Sequence, residues 1–383
     1  MLSWLSLKLT SLTTLQTLWA GYGHICAIEA LPLDSSANDS PRRLILKLVC
    51  PPTSSTRDEG HVRKMLSYRV EQYWYDELAP KLDADTPVAR SLASTRSMRH
   101  LAIRDGISDV IATIMTDLRV HFPLVVSAPR SSLSPTQVHA AIDWLSRFHA
   151  SSHRWLPHDR SAFVDPPLQF TGDDDDDDDV KGLWRNGGYT YLATRRSEYA
   201  ALTADETSEW SRALCRPDAD GHPPLAEQAA SFLTPSGRPH ESCLHGDVKS
   251  ENMLTTTSGT AVALVDFQYV GLGLGVCDLA KLMSCSVPVW MLTDEAVLPD
   301  AELSMGEGER ALLDRYRAGL DQGYDWASLQ RHWETALVDW CRFQASWGFW
   351  GNDGWLQARV RRIVGEGGWR DWLLRGSRTS THA

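Results

Sequence analysis

Residues 243–254 read Cys-Leu-His-Gly-Asp-Val-Lys-Ser-Glu-Asn-Met-Leu, and residues 261–268 read Ala-Val-Ala-Leu-Val-Asp-Phe-Gln. The first stretch opens on the apolar pair Cys243-Leu244. It then crowds His245, Asp247, Lys249 and Asn252 into one polar turn. The second is a short apolar run with the character of a buried strand, and it ends on Asp266. Two loops at two strand ends therefore offer two carboxylates, an amide, an ammonium and an imidazole. Carboxylate and amide oxygens suit Mg²⁺, which keeps waters and binds through one or two protein oxygens plus substrate phosphates. A further carboxylate can accept a proton from a hydroxyl. These are the parts that moving a phosphoryl group from a nucleotide to an alcohol requires. Either piece alone would read as an ordinary turn or a strand-end acid; the two together, with the upstream pieces, argue for a site.

Upstream, Leu15 to Ala30 reads as strand, glycine turn, strand. Gly21 and Gly23 permit a tight turn whose backbone N–H groups can approach phosphate, although a plain hairpin has the same wording. Arg42 to Val49 is a strand with Lys47 in its apolar part. A lysine buried there needs a counter-charge, whereas on an edge strand it would sit in solvent. The partner follows in Ser67 to Leu78, where Val70, Trp74, Glu77 and Leu78 fall at helical spacing and Pro80 ends the run. Glu71 lies at the border of that apolar face and can point inward, with Glu77 as the competing acid. Val110 to Met115 is a further buried strand, followed by Thr116-Asp117-Leu118. Ser134 to Ser151 is an amphipathic helix that Ser134 can cap and that ends on His149-Ala150.

The 383 residues suffice for a large core split into two lobes. The net charge of −11 argues against a nucleic-acid or acidic-membrane partner. Seven scattered cysteines without Cys-x-x-Cys read as reduced thiols, which implies a cytoplasmic setting. No stretch approaches the length of a membrane span, and Met1 to Leu18 lacks the form of a signal peptide. Asp173–Asp179 is a like-charge run, read as a solvated loop insert. Beyond Asp266, Gly271, Gly273 and Gly275 read as a glycine-rich turn before a helix carrying Asp278 near its start. Helices are expected over 308–322, 325–350 and 353–374. Their many tryptophans suit either core or an organic-substrate pocket.

His-x-Asp-x-x-x-x-Asn followed by Asp-Phe-x resembles the catalytic loop and metal motif of kinases. His245-Gly246-Asp247 and Asp266-Phe267-Gln268 are closer to the aminoglycoside phosphotransferase and choline kinase superfamily. Val265 to Gly273 and Asp278-Leu279-Ala280 look most like its ecdysteroid-kinase-like branch. The resemblance covers roughly residues 15–355. It implies an α+β, bilobal, protein-kinase-like fold: a small antiparallel sheet lobe over 1–118 and a larger helical lobe over 119–383. It implies ATP and Mg²⁺ as cofactors and a small organic hydroxyl compound as acceptor. By the same resemblance Asp247, Lys249 and His245 serve catalysis, the last by bracing the loop. Asn252 and Asp266 hold the metal. Lys47, Glu71, Gly21 and Gly23 serve the phosphates, and backbone near Met115 and Asp117 serves the adenine. Only eleven residues separate Asp266 from Asp278, and no Ala-Pro-Glu follows, so a protein acceptor is disfavoured. A non-catalytic nucleotide-binding scaffold of the same fold is the alternative; the intact Lys47, Asp247, Asn252 and Asp266 argue against it. A metal-dependent phosphohydrolase is a third reading, weakened by the lack of a companion histidine cluster.

Overall fold

The computed structural model of the chain describes residues 1–36, 39–52, 58–125, 132–157, 159, 162–168, 182–298, 300–320 and 323–380. The acidic run Asp173–Asp179 lies outside the described residues. The N-terminal part contains β1 (Leu7–Thr17), β2 (Gly23–Pro32), β3 (Arg42–Val49), α1 (Glu59–Tyr73), β4 (Ser91–Ser94), α2 (Arg99–Arg104) and β5 (Ile111–Thr116). The strands form one antiparallel sheet in the order β1-β2-β3-β5-β4. Strand β3 is therefore interior, with Lys47 opposite Ile25 on one side and Thr113 on the other. That position buries Lys47 and removes the edge-strand alternative. Strand β1 is at the sheet edge, with Leu9, Leu12 and Leu15 exposed and two register shifts that bend it.

Helix α1 starts eight residues before the sequence expectation. Asp58 accepts a hydrogen bond from the His61 N–H and Glu59 sits in the first turn, both favourable at a helix N-terminus. Its early turns carry polar residues outward, so the apolar pattern shows only from Leu66 onward. The helix runs into a π turn over Trp74–Leu78. There Trp74 is fully buried, stacked 4.8 Å from Phe267 and packed on Phe148 and Trp155.

The remainder is mainly helical. It runs β6 (Leu124–Val125), α3 (Pro135–Ser152), β7 (Phe163–Val164), β8 (Leu183–Trp184), α4 (Arg196–Ala204), α5 (Glu209–Leu214), α6 (Leu225–Leu233), β9 (Glu241–Leu244), β10 (Met253–Thr255), β11 (Val262–Leu264), β12 (Gly271–Leu274), α7 (Val276–Cys285), α8 (Glu307–Ala318), α9 (Trp326–Trp347), α10 (Asp353–Gly365) and α11 (Gly367–Ser380). Ser134 and Gln137 form a reciprocal capping box at the start of α3. Helix α9 is central and packs on α4, α6, α7 and α10. Two short sheets carry the loops of interest, β11-β10-β6 and β7-β8-β12-β9. No helix among the described residues is long and apolar enough to cross a membrane.

Two expectations need correcting. Gly271 and Gly273 lie in strand β12 rather than in a turn. A Cβ on Gly271 would stand 2.3 Å from the Trp184 carbonyl oxygen, and one on Gly273 would stand 2.4 Å from Leu244 Cδ1. The glycines permit close strand approach there, not chain reversal. The last helix is broken into α10 and α11 at Glu366, where the backbone is extended. Gly365, Gly367 and Gly368 flank the break and weaken helix propagation. Trp333, Trp340, Trp355 and Trp369 are core, whereas Trp347 is 56% exposed.

His332 on α9 packs beside Phe232 and Trp372 and hydrogen-bonds the Tyr324 hydroxyl. Burial, then the nearby Arg238 charge, pushes its pKa down to about 4. Unfolded histidine titrates near about 6.5. Between those values the unfolded chain binds more protons, so stability rises with pH there and is lost as the pH falls. Buried His245 shifts in the same direction. The thermal midpoint should therefore drop steadily below about pH 6.5, and His332→Gln should flatten part of that slope. Identical pH profiles for the two proteins, measured by circular dichroism melts, would exclude His332 as a contributor.

Candidate active site

Strand β9 delivers His245 to the end of a buried strand, and Gly246 then turns the chain with φ +88°. A side chain on Gly246 would meet the Tyr269 carbonyl oxygen at 2.4 Å and the Gly188 nitrogen at 2.8 Å, so glycine is required. Asp278, fully buried at the start of α7, accepts from the His245 N–H at 2.7 Å and the Gly246 N–H at 3.0 Å. Its position near a helix N-terminus and its clamp on this loop are thus compatible. His149 Nε2 stands 3.3 Å from the same carboxylate, and Lys281 Nζ donates to the Gly246 carbonyl at 2.7 Å. Burial raises the Asp278 pKa, but the His149 hydrogen bond and nearby positive charge outweigh it and hold the group ionised.

The His245 ring is a brace. The Asp247 N–H donates to Nδ1, so Nε2 carries the proton and donates to the Val265 carbonyl at 3.0 Å. One imidazole thereby ties the 245–252 loop to the end of β11. Burial lowers its pKa, which keeps the ring neutral at neutral pH.

Asp247 is 7% exposed. Lys249 Nζ donates to its Oδ2 at 2.8 Å, and Asn252 Nδ2 donates to the same oxygen at 3.0 Å. Oδ1 has no hydrogen-bond partner among the described residues. Burial opposes the charge on Lys249, but Asp247 outweighs it and raises the lysine pKa. Because Asn252 spends its amide N–H on Asp247, its oxygen remains as an acceptor.

Asp266 follows β11 with φ +69°, a left-handed backbone that aspartate tolerates better than most residues. Sequence reading had no signal for that strain. Lys47 Nζ reaches Asp266 Oδ1 at 3.2 Å and Glu71 Oε2 at 2.5 Å. Lys47, Glu71 and Asp266, far apart in sequence, thus form one chain of contacts. Burial raises the Asp266 pKa, but Lys47 outweighs it and the net shift is downward. Glu77, the competing acid, is instead on the surface paired with Arg96.

Gln268 was not singled out from the sequence. Its Nε2 donates to Asp266 Oδ1 at 2.7 Å, and its Oε1 accepts from Ser67 on α1 at 3.2 Å. Met115 and Lys47 line one small cavity, with Tyr68, Glu71 and Thr113. The Asp117 carboxylate is buried against Arg119 at 2.8 Å and Arg43 at 3.4 Å, so its side chain is already spent on these two cations. Gly23 has a structural explanation, since a Cβ there would lie 2.0 Å from the Leu48 carbonyl oxygen. Gly21 adopts φ +75° in the β1–β2 turn. Tyr22, between the two glycines, hydrogen-bonds His61 on α1 at 2.8 Å.

No curated protein sequence matches the chain. Among solved structures it is similar to a macrolide 2'-phosphotransferase from Brachybacterium faecium, at 14% identity, 98% of this chain, 95% of that one and a TM-score of 0.44. It is also similar to a choline kinase from Streptococcus pneumoniae, at 12% identity, 99% and 96% coverage and a TM-score of 0.44. An ethanolamine kinase from Plasmodium vivax matches at 12% identity, 96% and 84% coverage and a TM-score of 0.41. The sequence profile of one phosphotransferase family matches residues 36–332. That match takes in β3 with Lys47, α1 with Glu71 and both loops of the 245–266 pair, and on its extent the chain belongs to the phosphotransferase enzyme family.

Proposed function

We propose that the chain transfers the γ-phosphoryl group of ATP to a hydroxyl of a small organic acceptor. The observation that carries this reading is the convergence of Lys47, Glu71 and Asp266 with a second carboxylate, Asp247, held by Lys249 and Asn252. Residues 1–118 are assigned to nucleotide binding and 119–383 to catalysis and acceptor binding. All seven cysteines are free, which fits a reducing, cytoplasmic setting.

Asp247 orients the acceptor hydroxyl and takes its proton as the acceptor oxygen bonds to the γ-phosphorus. The bond from that phosphorus to the bridging oxygen breaks, and its electron pair leaves with ADP. Lys47, positioned by Glu71, holds phosphate oxygens of the nucleotide, and Lys249 neutralises charge on the transferred group. The Asn252 amide oxygen and the Asp266 carboxylate form an all-oxygen donor pair, which fits Mg²⁺. When bound, that ion neutralises charge on the β- and γ-phosphate oxygens.

Asp266→Ala should abolish Mg²⁺-dependent ATP binding while the protein stays folded, since a third of that side chain is exposed. Calorimetric titration with ATP, with and without Mg²⁺, tests this. Unchanged Mg²⁺·ATP affinity would take Asp266 out of the role.

A further inference from the structure

Next to the catalytic loop lies an aromatic enclosure. The Gly188 N–H donates to the Tyr269 carbonyl at 2.9 Å, and Tyr269 Cβ abuts Gly246. Tyr189 and Tyr269 are 4.9 Å apart, and Phe343 joins at 6.0 Å from Tyr189. Trp347, largely exposed, stacks 6.0 Å from Phe343. Burial and then the Asp247 charge raise the pKa of both tyrosines, Tyr269 to about 12. The two phenols therefore stand within electrostatic reach of the residue proposed to take the acceptor proton.

Such a box would suit an onium group by cation–π attraction. Here a protein cation already occupies it. The Arg195 guanidinium lies 5.6 Å from the Tyr189 ring, 6.0 Å from Phe343 and 5.4 Å from Trp347. Its side chain is nine-tenths buried. Nε donates to the Tyr189 carbonyl at 2.8 Å and Nη1 to Glu198 at 3.3 Å. Nη2 has no hydrogen-bond partner among the described residues. Burial, followed by the charge of neighbouring Arg63, lowers the Arg195 pKa, so two guanidiniums repel each other at this place. The nearby acids are already matched to cations: Glu198 to Arg195, Asp247 to Lys249 and Asp339 to Arg342. A cationic acceptor would have to displace one of these partners. An anion would instead relieve the repulsion and accept a charge-assisted hydrogen bond from Nη2, the guanidinium nitrogen left without a partner among the described residues.

We infer that the acceptor is a ring-bearing hydroxy acid, its ring against Tyr189, Tyr269 and Trp347 and its acidic group on Arg195. This rests on the kinase reading above and narrows its substrate class.

The test uses the full chain and three matched probes: 4-(hydroxymethyl)benzoate, its amide, and 4-(hydroxymethyl)benzylamine, with the corresponding naphthalene series. Binding is titrated calorimetrically and transfer is followed by mass with ATP and Mg²⁺. The acids should bind about 10–100-fold more tightly than the amides, as a charge-assisted hydrogen bond implies, and the amines should bind most weakly. Arg195→Gln should raise KM for the acids by a similar factor with kcat nearly unchanged, while changing KM for the amides much less and leaving ATP affinity unaffected. Arg195→Lys should restore part of the loss. Amine preference, absence of acid binding, or an Arg195→Gln effect equal across all three probes would overturn the inference. Loss of Mg²⁺·ATP binding in the wild type would instead overturn the kinase reading, and the nucleotide titration is run separately so that the two failures are distinct.

Discussion

Asp247→Asn should lower kcat by about 10²–10⁴-fold while ATP affinity stays near that of wild type. Asparagine keeps the size of the side chain. Its amide oxygen can still accept from Lys249 and Asn252, which now meet at one oxygen of Asp247. The loop is held independently of that carboxylate, by Asp278 and by the His245 brace. What disappears is the ability to take the acceptor proton. In the proposed reaction nucleotide binding draws on Lys47 and the Asn252–Asp266 oxygens, so it should survive. Single-turnover transfer and nucleotide titration on both proteins separate the two effects. A variant as fast as wild type would show that Asp247 is not the proton acceptor. Wild type without transfer to any acceptor, and unchanged by the substitution, is the result a non-catalytic scaffold would give.

Lys47→Met should cost on the order of 3–5 kcal/mol of stability at about pH 8, as removal of one member of a buried pair does. The cost should shrink at about pH 5. Lys47 has both Glu71 and Asp266 as partners, so its loss leaves two carboxylates facing each other with one cation fewer. Glu71 is 4% exposed, and burial, only partly offset by Lys47, already pushes its pKa up to about 7. Without the lysine it rises further. A carboxyl with a raised folded pKa contributes stability below that value and loses it as the pH rises through it. At the lower pH Glu71 takes a proton and the uncompensated charge is gone. Denaturant unfolding of wild type and variant at both pH values measures the difference. An equal cost at both would mean that Glu71 does not titrate. ATP binding should be lost at either pH, because the ammonium proposed to hold phosphate oxygens is absent.

What the sequence made legible follows from which signals are local. His245, Asp247, Asn252 and Asp266 share one short stretch, and their spacing alone placed them at two strand ends. Lys47 was readable because a cation inside an apolar run demands a partner, and helical periodicity offered Glu71. Gln268 was not readable, because its contacts to Asp266 and to Ser67, some two hundred residues away, depend on how α1 docks. Arg195 was not readable either, because nothing local says that three aromatic rings close over it. The Gly271–Gly275 spacing suggested a turn because single-sequence reasoning sees glycine as flexible and cannot see Trp184 pressing against the strand. The likeness to ecdysteroid-kinase-like families rests on short stretches of wording, chiefly around Asp266 and Asp278. The broader family rests on a match across most of the chain.

Trp74 has a dynamic consequence. Its indole belongs to the large core, stacked on Phe267, while the buried residues of β1 and β2 belong to small separate clusters. The carrier of Glu71 is therefore mechanically part of the helical lobe, although it lies between strands of the sheet in sequence. Opening of the outer sheet strands can expose their amides to hydrogen exchange without withdrawing Glu71 from Lys47. The latter half of α1 should exchange with the slow amides of α3, whereas β1 exchanges early. Readiness of the Lys47–Glu71 pair is then tied to the integrity of the large core, and no separate ordering event is needed to assemble it.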